Sequence, residues 1–209
     1  MSKCLRSLIV GIAIAITTPA LAQAPEQDST AAARAIIQAA GLSDVFAPVE
    51  DESVSVRHAA SGLVCRFYGE TRRVAVFPNL PRGEDVACVD DTDTRYTTLY
   101  ATRYAPPPTP EEALAIAVAA IRQRFADARP TPQTVDMQSD SLPRSRSAHF
   151  LVTINGERWI TSAHVARVGD WTVKLRYSAR CMEDREIMRH QLEAGALFTL
   201  ALMNMGEAA

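Results

Sequence analysis

The strongest constraint on the fold is an Asn155-Gly156 pair between two long stretches of alternating apolar and polar residues. Both central positions of a two-residue hairpin turn need a positive φ, and Asn followed by Gly supplies it readily. Ala148 to Ile154 and Glu157 to Val168 are therefore predicted to be antiparallel strands. Gly169-Asp170 marks a second turn into a third strand, Trp171 to Arg180. Together the three strands predict a meander.

The faces of this meander depend on the length of the second loop. A two-residue loop would put Val173 and Leu175 on the same face as His149 and His164. A three-residue loop starting at Val168 would instead gather the apolar side chains on one face. Because a one-residue slip would put charges in the core, the pattern favours the three-residue loop. The predicted apolar face holds Phe150, Val152, Ile154, Trp159, Val165, Trp171, Val173, Leu175 and Tyr177, and the predicted polar face holds His149, Arg158, Ser162, His164, Lys174 and Arg176.

The elements before the meander are predicted from capping and alternation. A short helix spans Ser29 to Ala40, where Asp28 or Ser29 can cap its start and Gly41 its end. Alternating or apolar runs bounded by turn residues then predict strands. These strands are Ser53 to His58, Leu63 to Tyr68, Arg73 to Phe77 (joined to the preceding strand near Gly69 to Thr71) and Thr94 to Tyr104.

Two further helices have clear sequence patterns. A proline-rich connector at 105–109 leads into the first, where Thr109, Pro110 and Glu112 form a capping-box pattern and the helical spacing continues to about Ala128. A long terminal helix is predicted from Glu183 to Met205. Its sheet-facing residues are predicted to be Met188, Leu192, Gly195, Phe198 and Leu202.

The order of these elements indicates the fold class. No strand–helix–strand alternation is present, so the sequence predicts an α+β fold, with a mainly antiparallel sheet and helices packed against it. Neither side of the proline-rich connector is large enough for a robust core of its own. We therefore expect a single domain over 29–209, preceded by a flexible leader at 23–28.

The N-terminus has the three parts of an export signal. Lys3 and Arg6 precede an uncharged apolar run, Leu8 to Ile16, and Ala20-Leu21-Ala22 offers small residues for cleavage. The run is shorter than the roughly 20 residues that span a bilayer. A signal peptide over 1–22 is predicted, with an uncleaved membrane anchor as the alternative. The mature protein is then expected to be periplasmic or secreted, with no transmembrane segment.

Charge and cysteine content narrow the class further. Loss of Lys3 and Arg6 would take the formal net charge from −2 to −4, which argues against a nucleic-acid binder. In an oxidising compartment two of the three remaining cysteines usually pair. Cys65 and Cys88 are favoured because a turn-rich stretch brings the chain back between them, although spacing leaves a bond between Cys88 and Cys181 open. Cys181 would then be a free thiol, either reactive or simply packed.

Two segments carry a resemblance to known families. Trp171 to Tyr177, followed by a helix opening at Glu183, resembles the closing strand and helix of Mog1/PsbP-like domains, and implies that a Mog1/PsbP-like sandwich is one architecture for the chain. Gly62 to Phe67 and Ala101 to Tyr104 are similar to a group of uncharacterised exported proteins of alphaproteobacteria. The resemblance implies a non-catalytic accessory or binding role and supplies no functional residues.

Three groups of side chains are candidates for chemistry. Arg158, Lys174 and Arg176 belong to a basic stretch that predicts a face for an anionic ligand or an acidic envelope protein, with a solvated surface as the alternative. His149, Ser162 and His164 invite a metal or hydrolase interpretation, but no acid on their predicted face orients a histidine. The acidic residues at 90–93 lack the glycine turn and distal glutamate of an EF-hand and predict an acidic turn.

The sequence therefore predicts no catalytic residue, metal site or cofactor. A non-enzymatic binding or accessory module of the cell envelope is the leading hypothesis. The alternative is a small periplasmic enzyme, either a hydrolase or a thiol-dependent redox protein. A pocket that holds a histidine beside an orienting acid would favour that alternative.

Overall fold

A computed structural model describes residues 28–132, 134 and 141–206 of the chain. The predicted signal peptide at 1–22, and the predicted leader up to 27, lie outside the described residues. Among the helices within these ranges, none is both long and apolar enough to cross a membrane.

The described ranges contain three helices and ten strands. The helices are α1 (Ser29–Ala40), α2 (Pro110–Arg124) and α3 (Asp184–Gly206). The strands are β1 (Phe46–Pro48), β2 (Val54–His58), β3 (Val64–Phe67), β4 (Thr71–Val76), β5 (Asp85–Thr92), β6 (Arg95–Arg103), β7 (Arg129–Pro130), β8 (Ser145–Ile154), β9 (Glu157–Val168) and β10 (Trp171–Arg180).

These strands form two antiparallel sheets, which confirms the predicted α+β class. The small sheet has the order β1-β2-β3, and the large sheet has the order β4-β5-β6-β10-β9-β8-β7. The predicted strands Leu63 to Tyr68 and Arg73 to Phe77 are present as β3 and β4, but they belong to different sheets and do not pair with each other. The chain changes sheet at Gly69, where an added Cβ would lie 2.5 Å from the carbonyl oxygen of Asp91.

Strand β5 was not predicted, and its acidic end explains why. Asp90 and Asp91 pair with β4 and β6 and do not form the expected acidic turn. The buried Asp90 carboxylate accepts hydrogen bonds from the backbone N–H groups of Tyr68 and Gly69, at 2.6–3.2 Å. An aspartate in a strand is unusual, but here it satisfies the backbone where the chain passes between the sheets.

The helix ends follow local capping. Asp28 accepts a hydrogen bond from the N–H of Ala31, and Gly41 ends α1 with a φ of 66°. The predicted capping box of α2 is present, with Thr109 and Glu112 each accepting from the other's backbone N–H. Helix α2 ends at Arg124, four residues before the predicted end, because Phe125 adopts an extended conformation.

Helices cover the large sheet unequally. We call one side the covered face: α1, α3 and the small sheet pack against it, and it forms the larger core. Helix α2 packs on the opposite side, mainly over β8 and β9. Its smaller core comprises Ala117, Ile121, Phe150, Val152, Trp159 and Ala163. We call the remainder of that side, over β4, β5, β6 and β10, the open face.

The predicted register of the second turn is wrong. Trp171 pairs with Val168, and Leu175 pairs with His164, so the loop has two residues. Val173 and Leu175 therefore share the covered face with His149 and His164, and Lys174 and Arg176 lie on the opposite face from both histidines. The prediction assumed that one face meets water, whereas this sheet has helices on both sides. The Asn155-Gly156 turn is as expected, with Val152 opposite Trp159.

The buried stripe of α3 is also displaced from its prediction. Phe198 and Leu202 face the sheet, but Met188 and Leu192 are 48% and 43% exposed. Their places are taken by His190 and Gln191, which are buried and hydrogen-bonded to Tyr177 and Thr131. Hydrogen-bonded polar side chains can replace apolar ones in a core, and hydrophobicity alone does not locate them.

The predicted Cys65–Cys88 disulfide is confirmed. Cys65 lies on β3 and Cys88 on β5, so the bond joins the small sheet to the large sheet. Cys181 is the free cysteine of the described residues, and it is buried.

Candidate functional site

The candidate site lies on the open face, on the central strand β10. Side chains alternate along a strand, so Val173, Leu175 and Tyr177 enter the large core. The residues between them, Lys174 and Arg176, project from the open face. The adjacent strands β6 and β9 pair with β10 along its length, which holds these two cations in fixed positions.

Lys174 and Arg176 have no hydrogen bond or ion pair with any residue that the structure describes. The Lys174 ammonium lies over the ring of Tyr100, 4.3 Å from its centroid. Burial lowers the pKa of Lys174, the neighbouring Arg176 lowers it further, and Asp85 opposes both. Asp85 itself accepts a hydrogen bond from Thr102, at 2.7 Å. A partly buried cation without a carboxylate is costly unless something else compensates its charge.

The predicted basic face is divided between the two sides of the sheet. Arg158 lies on the side of the covered face, and its guanidinium donates to the carbonyl of Cys181 and to Asp184, both at 2.9 Å. It thus anchors the start of α3. The grouping of Arg158 with Lys174 and Arg176 is therefore corrected, and only the last two remain together.

A cleft of about 260 Å³ opens beside Lys174. It lies between the first half of α2 and the open face, and the proline-rich connector closes one side. Two alanines of α2, one turn apart, leave room beneath the helix. The lining residues are Thr102, Tyr104, Pro106, Pro108, Ala113, Ile116, Ala117, Val165, Thr172 and Lys174.

Thr172 is the second polar group without a partner in this cleft. It is 6% exposed, and its hydroxyl has no hydrogen-bond partner among the described residues. A buried hydroxyl that bonds to nothing costs about 1–3 kcal/mol. Because Thr172 and Lys174 occupy successive open-face positions of β10, a single anionic group in the cleft can accept from both.

Aromatic pairs extend the open face beyond the cleft. Phe77 and Tyr100 stack with their ring centroids 6.1 Å apart, and Tyr96 stacks on Trp159 at 5.1 Å. Tyr96 and Tyr100 therefore pack on neighbouring rings, on the strand beside the two cations.

The histidine candidates are internal. The Nδ1 atom of His149 lies 2.7 Å from the hydroxyl of Ser162, and the rings of His149 and His164 are 5.2 Å apart. All three side chains are buried under α3. Burial lowers the pKa of His164 to about 3. Buried side chains packed under α3 agree with a helix-covered face better than with a hydrolase or metal centre.

The Cys181 thiol is likewise internal. Its sulfur lies 3.3 Å from the carbonyl oxygen of Glu183 and 3.8 Å from the Arg158 guanidinium. Burial raises the pKa of this thiol, and Arg158 opposes the change without reversing it. A reactive thiol is accessible and has a lowered pKa, so the environment favours the packing role over the redox role.

A second cleft, which sequence reasoning missed, lies at the start of α3. It contains His190 beside Glu193, the combination that would favour an enzyme. Arg189 donates to Nε2 of His190 at 3.0 Å, which leaves the proton on Nδ1. Nδ1 then donates to the Tyr177 hydroxyl, which donates to Glu193, both at 2.8 Å. Both ring nitrogens of His190 are occupied, so neither is free to act as a base.

The sequence held signals for both clefts that went unused. Ala113 and Ala117, four residues apart, mark a helix surface whose small side chains leave space above a sheet. His190 and Glu193, three residues apart, mark a hydrogen-bonding pair on one side of a helix. Within the described ranges, no group of three or more potential metal-ligating side chains occurs.

Comparisons with known proteins find low sequence identity and low structural similarity. No protein-family model matches the chain, and no curated protein matches it, so neither comparison supports the resemblance to exported alphaproteobacterial proteins. LpqN, described as involved in cell envelope biogenesis of Mycobacterium tuberculosis, is similar at 10% identity over 63% of this chain and 83% of its own, with a TM-score of 0.36. CalU16 from Micromonospora echinospora is similar at 11% identity over 65% of this chain and 85% of its own, with a TM-score of 0.24.

Proposed function

We propose that this protein is a non-enzymatic binding module of the cell envelope, and that it holds an anionic ligand on the open face at Lys174 and Arg176. One observation carries the proposal: the partly buried Lys174 lies beside Arg176 and has no carboxylate partner among the described residues, whereas Arg95, on the neighbouring strand β6, is paired with Asp90 and Glu193. An anionic ligand would supply the missing charge.

The location in the envelope rests on separate features. The N-terminal pattern is that of a cleaved export signal, and the Cys65–Cys88 bond is of the kind that persists in oxidising compartments. N-terminal sequencing of protein recovered from the periplasm tests this part. A chain that starts near Gln23 supports it, and an intact Met1 on membrane-bound protein contradicts it.

Anion binding can be tested with 1-anilinonaphthalene-8-sulfonate, an aromatic anion whose fluorescence rises in apolar sites. Titration of the wild type should give saturable binding that weakens with added salt. Lys174→Met should weaken it at least tenfold, and Arg176→Gln should weaken it less. Arg185→Gln is the matched control, because Arg185 is an exposed arginine on α3 that pairs with Glu183. Equal binding by wild type and Lys174→Met would refute the proposal.

A further inference from the structure

The cleft beside Lys174 has two chemically different parts. At one end lie Lys174 and the unpartnered Thr172, whose Cα atoms occupy successive open-face positions about 7 Å apart along β10. Apart from Thr102 and Tyr104, the rest of the lining is apolar, from Val165 on the sheet to Ile116 on α2 and the prolines of the connector. A ligand that fills the whole cleft therefore needs a charged end and an apolar end.

The apolar part of the cleft leaves hydrophobic side chains exposed to solvent, and a bound apolar group would cover them. Ile116 is 67% exposed although it lies on the helix that covers this side of the sheet. Ala113 and Ala117, which face the sheet from the same helix, are too small to fill the space below it. The gap is walled by apolar atoms and is open to solvent at the edge of α2.

The volume of the cleft limits the size of a ligand that can bind in it. At about 260 Å³, the cleft is slightly smaller than the roughly 300–1,000 Å³ typical of pockets that bury a drug-sized ligand. It suits a single narrow chain better than a pair of acyl chains.

We infer that the ligand is a single-chain anionic amphiphile, whose carboxylate or phosphate binds Lys174 and Thr172 while its short apolar chain lies between α2 and the sheet. This inference rests on the proposed anion-binding function and names the class of ligand for the same site. Arg176, one open-face position further along β10 and outside the cleft lining, adds positive charge at the head-group end.

A chain-length series tests the apolar part. Calorimetric titrations with acetate, butanoate, hexanoate, octanoate and decanoate should show affinity rising about fourfold per methylene, the factor for a fully buried CH₂. The rise should stop at the length that the cleft holds. Octyl phosphate in place of octanoate separates a phosphate head from a carboxylate, and tighter binding of one assigns the head group.

Amino-acid substitutions test where the apolar chain of the ligand lies. Ala113→Leu fills the cleft from the helix side and should stop the rise at a shorter chain, with acetate binding unchanged. Ala113→Val, a smaller change, should give an intermediate length if the leucine variant loses its cooperative melting. Thr172→Val should weaken every acid about equally, because it removes a head-group donor and leaves the walls intact.

The outcomes separate this inference from the proposed function. Equal affinity for acetate and octanoate would overturn the amphiphile while leaving anion binding in place. Octanol binding as tightly as octanoate, with no loss in Lys174→Met, would overturn both. A rise with chain length that Ala113→Leu leaves unchanged would place the chain elsewhere and overturn the assignment to this cleft.

Discussion

The two faces of the large sheet treat their charged groups in opposite ways. On the covered face Arg95 donates to Asp90 at 3.1 Å and to Glu193 at 3.2 Å, so that a half-buried cation sits between two acids. On the open face Lys174 and Arg176 have no such partners among the described residues. The paired cation and the two unpaired cations sit on neighbouring strands of the same sheet, β6 and β10.

This difference indicates that the two faces of one sheet have different roles. The covered face is internally neutralised, which is what a core requires because an unpaired buried charge is expensive. The open face keeps two cations that have no carboxylate partner among the described residues, beside the cleft. Stability is therefore expected to depend on the first face and ligand binding on the second, and four predictions test this separation.

The largest effect is expected from Arg95→Met. It would leave Asp90 and Glu193 without their cation on the covered face, and breaking such a pair costs about 3 kcal/mol of unfolding free energy. Lys174→Met, on the open face, should change it by no more than about 1 kcal/mol, since only the contact of the ammonium with the Tyr100 ring is lost. Urea unfolding measures both. Similar losses in the two variants would break the comparison between the faces.

The second-largest effect on the free energy of unfolding is expected from loss of the disulfide. Replacing Cys65 and Cys88 by serine removes a bond that spans 23 residues, and a loop of that size contributes about 3 kcal/mol in the chain-entropy model. Cys181→Ser is the control and should cost about 1 kcal/mol, as for a small packed side chain. Denaturant unfolding under oxidising conditions measures the difference. Peptide mapping that found Cys88 bonded to Cys181 would contradict the assignment.

Acid should lower the free energy of unfolding through two buried histidines, His164 on the large sheet and His58 on the small sheet. Burial lowers the pKa of His164 to about 3 and that of His58 to about 4, so both stay neutral in the fold. Unfolded histidine takes up a proton below about pH 6.5. Unfolding free energy should therefore fall with pH below 6.5, by about 1.4 kcal/mol per unit for each histidine.

The interval from pH 6.5 to 4.5 isolates this effect. Below it Glu193 contributes, because contacts with His190, then Tyr177 and Arg95, hold the pKa of its carboxyl at about 2. That depressed pKa adds stability above about pH 4.5, which is lost as pH falls towards 2. Replacing His164 with glutamine should reduce the slope between pH 6.5 and 4.5, whereas Lys174→Met should leave it unchanged. An unchanged slope in His164→Gln would show that this side chain does not titrate as described.

The smallest effect is expected at the cap of α2, the helix that half covers the open side. Thr109 accepts a hydrogen bond from the N–H of Glu112 at 3.2 Å, and loss of such a cap costs about 1 kcal/mol. Thr109→Ala should lower the melting temperature slightly and weaken octanoate binding, because the first turn of α2 walls the cleft. Thr109→Ser should restore both. A loss of several kcal/mol would mean that α2 carries more of the core than its packing shows.

Local signals in the sequence predicted local structure well. Asp28 and Gly41 delimit α1 as expected, and the capping box begins α2 at Pro110. The Asn155-Gly156 turn fixes the first hairpin of the meander. Each of these features is decided by a few adjacent residues, whose backbone preferences are strong enough to act without the rest of the fold.

Features that depend on distant partners were predicted poorly. The register of the turn at Gly169 was chosen by assuming a single buried face, but helices pack on both sides of β9. Strand β5 was missed because Asp90 bonds to the backbone of Tyr68 and Gly69, which are distant in sequence. The cleft could not be predicted, since it exists only where the first half of α2 lies beside the open face.

The connection between the two sheets has a consequence for limited proteolysis. Only residues 68–70 join β3 to β4, while the Cys65–Cys88 bond links chain on either side of that joint. A single cut there would yield two fragments that stay covalently attached and migrate apart only after reduction. The chain could therefore be cut, or given new termini, at residues 68–70 without separating the two sheets.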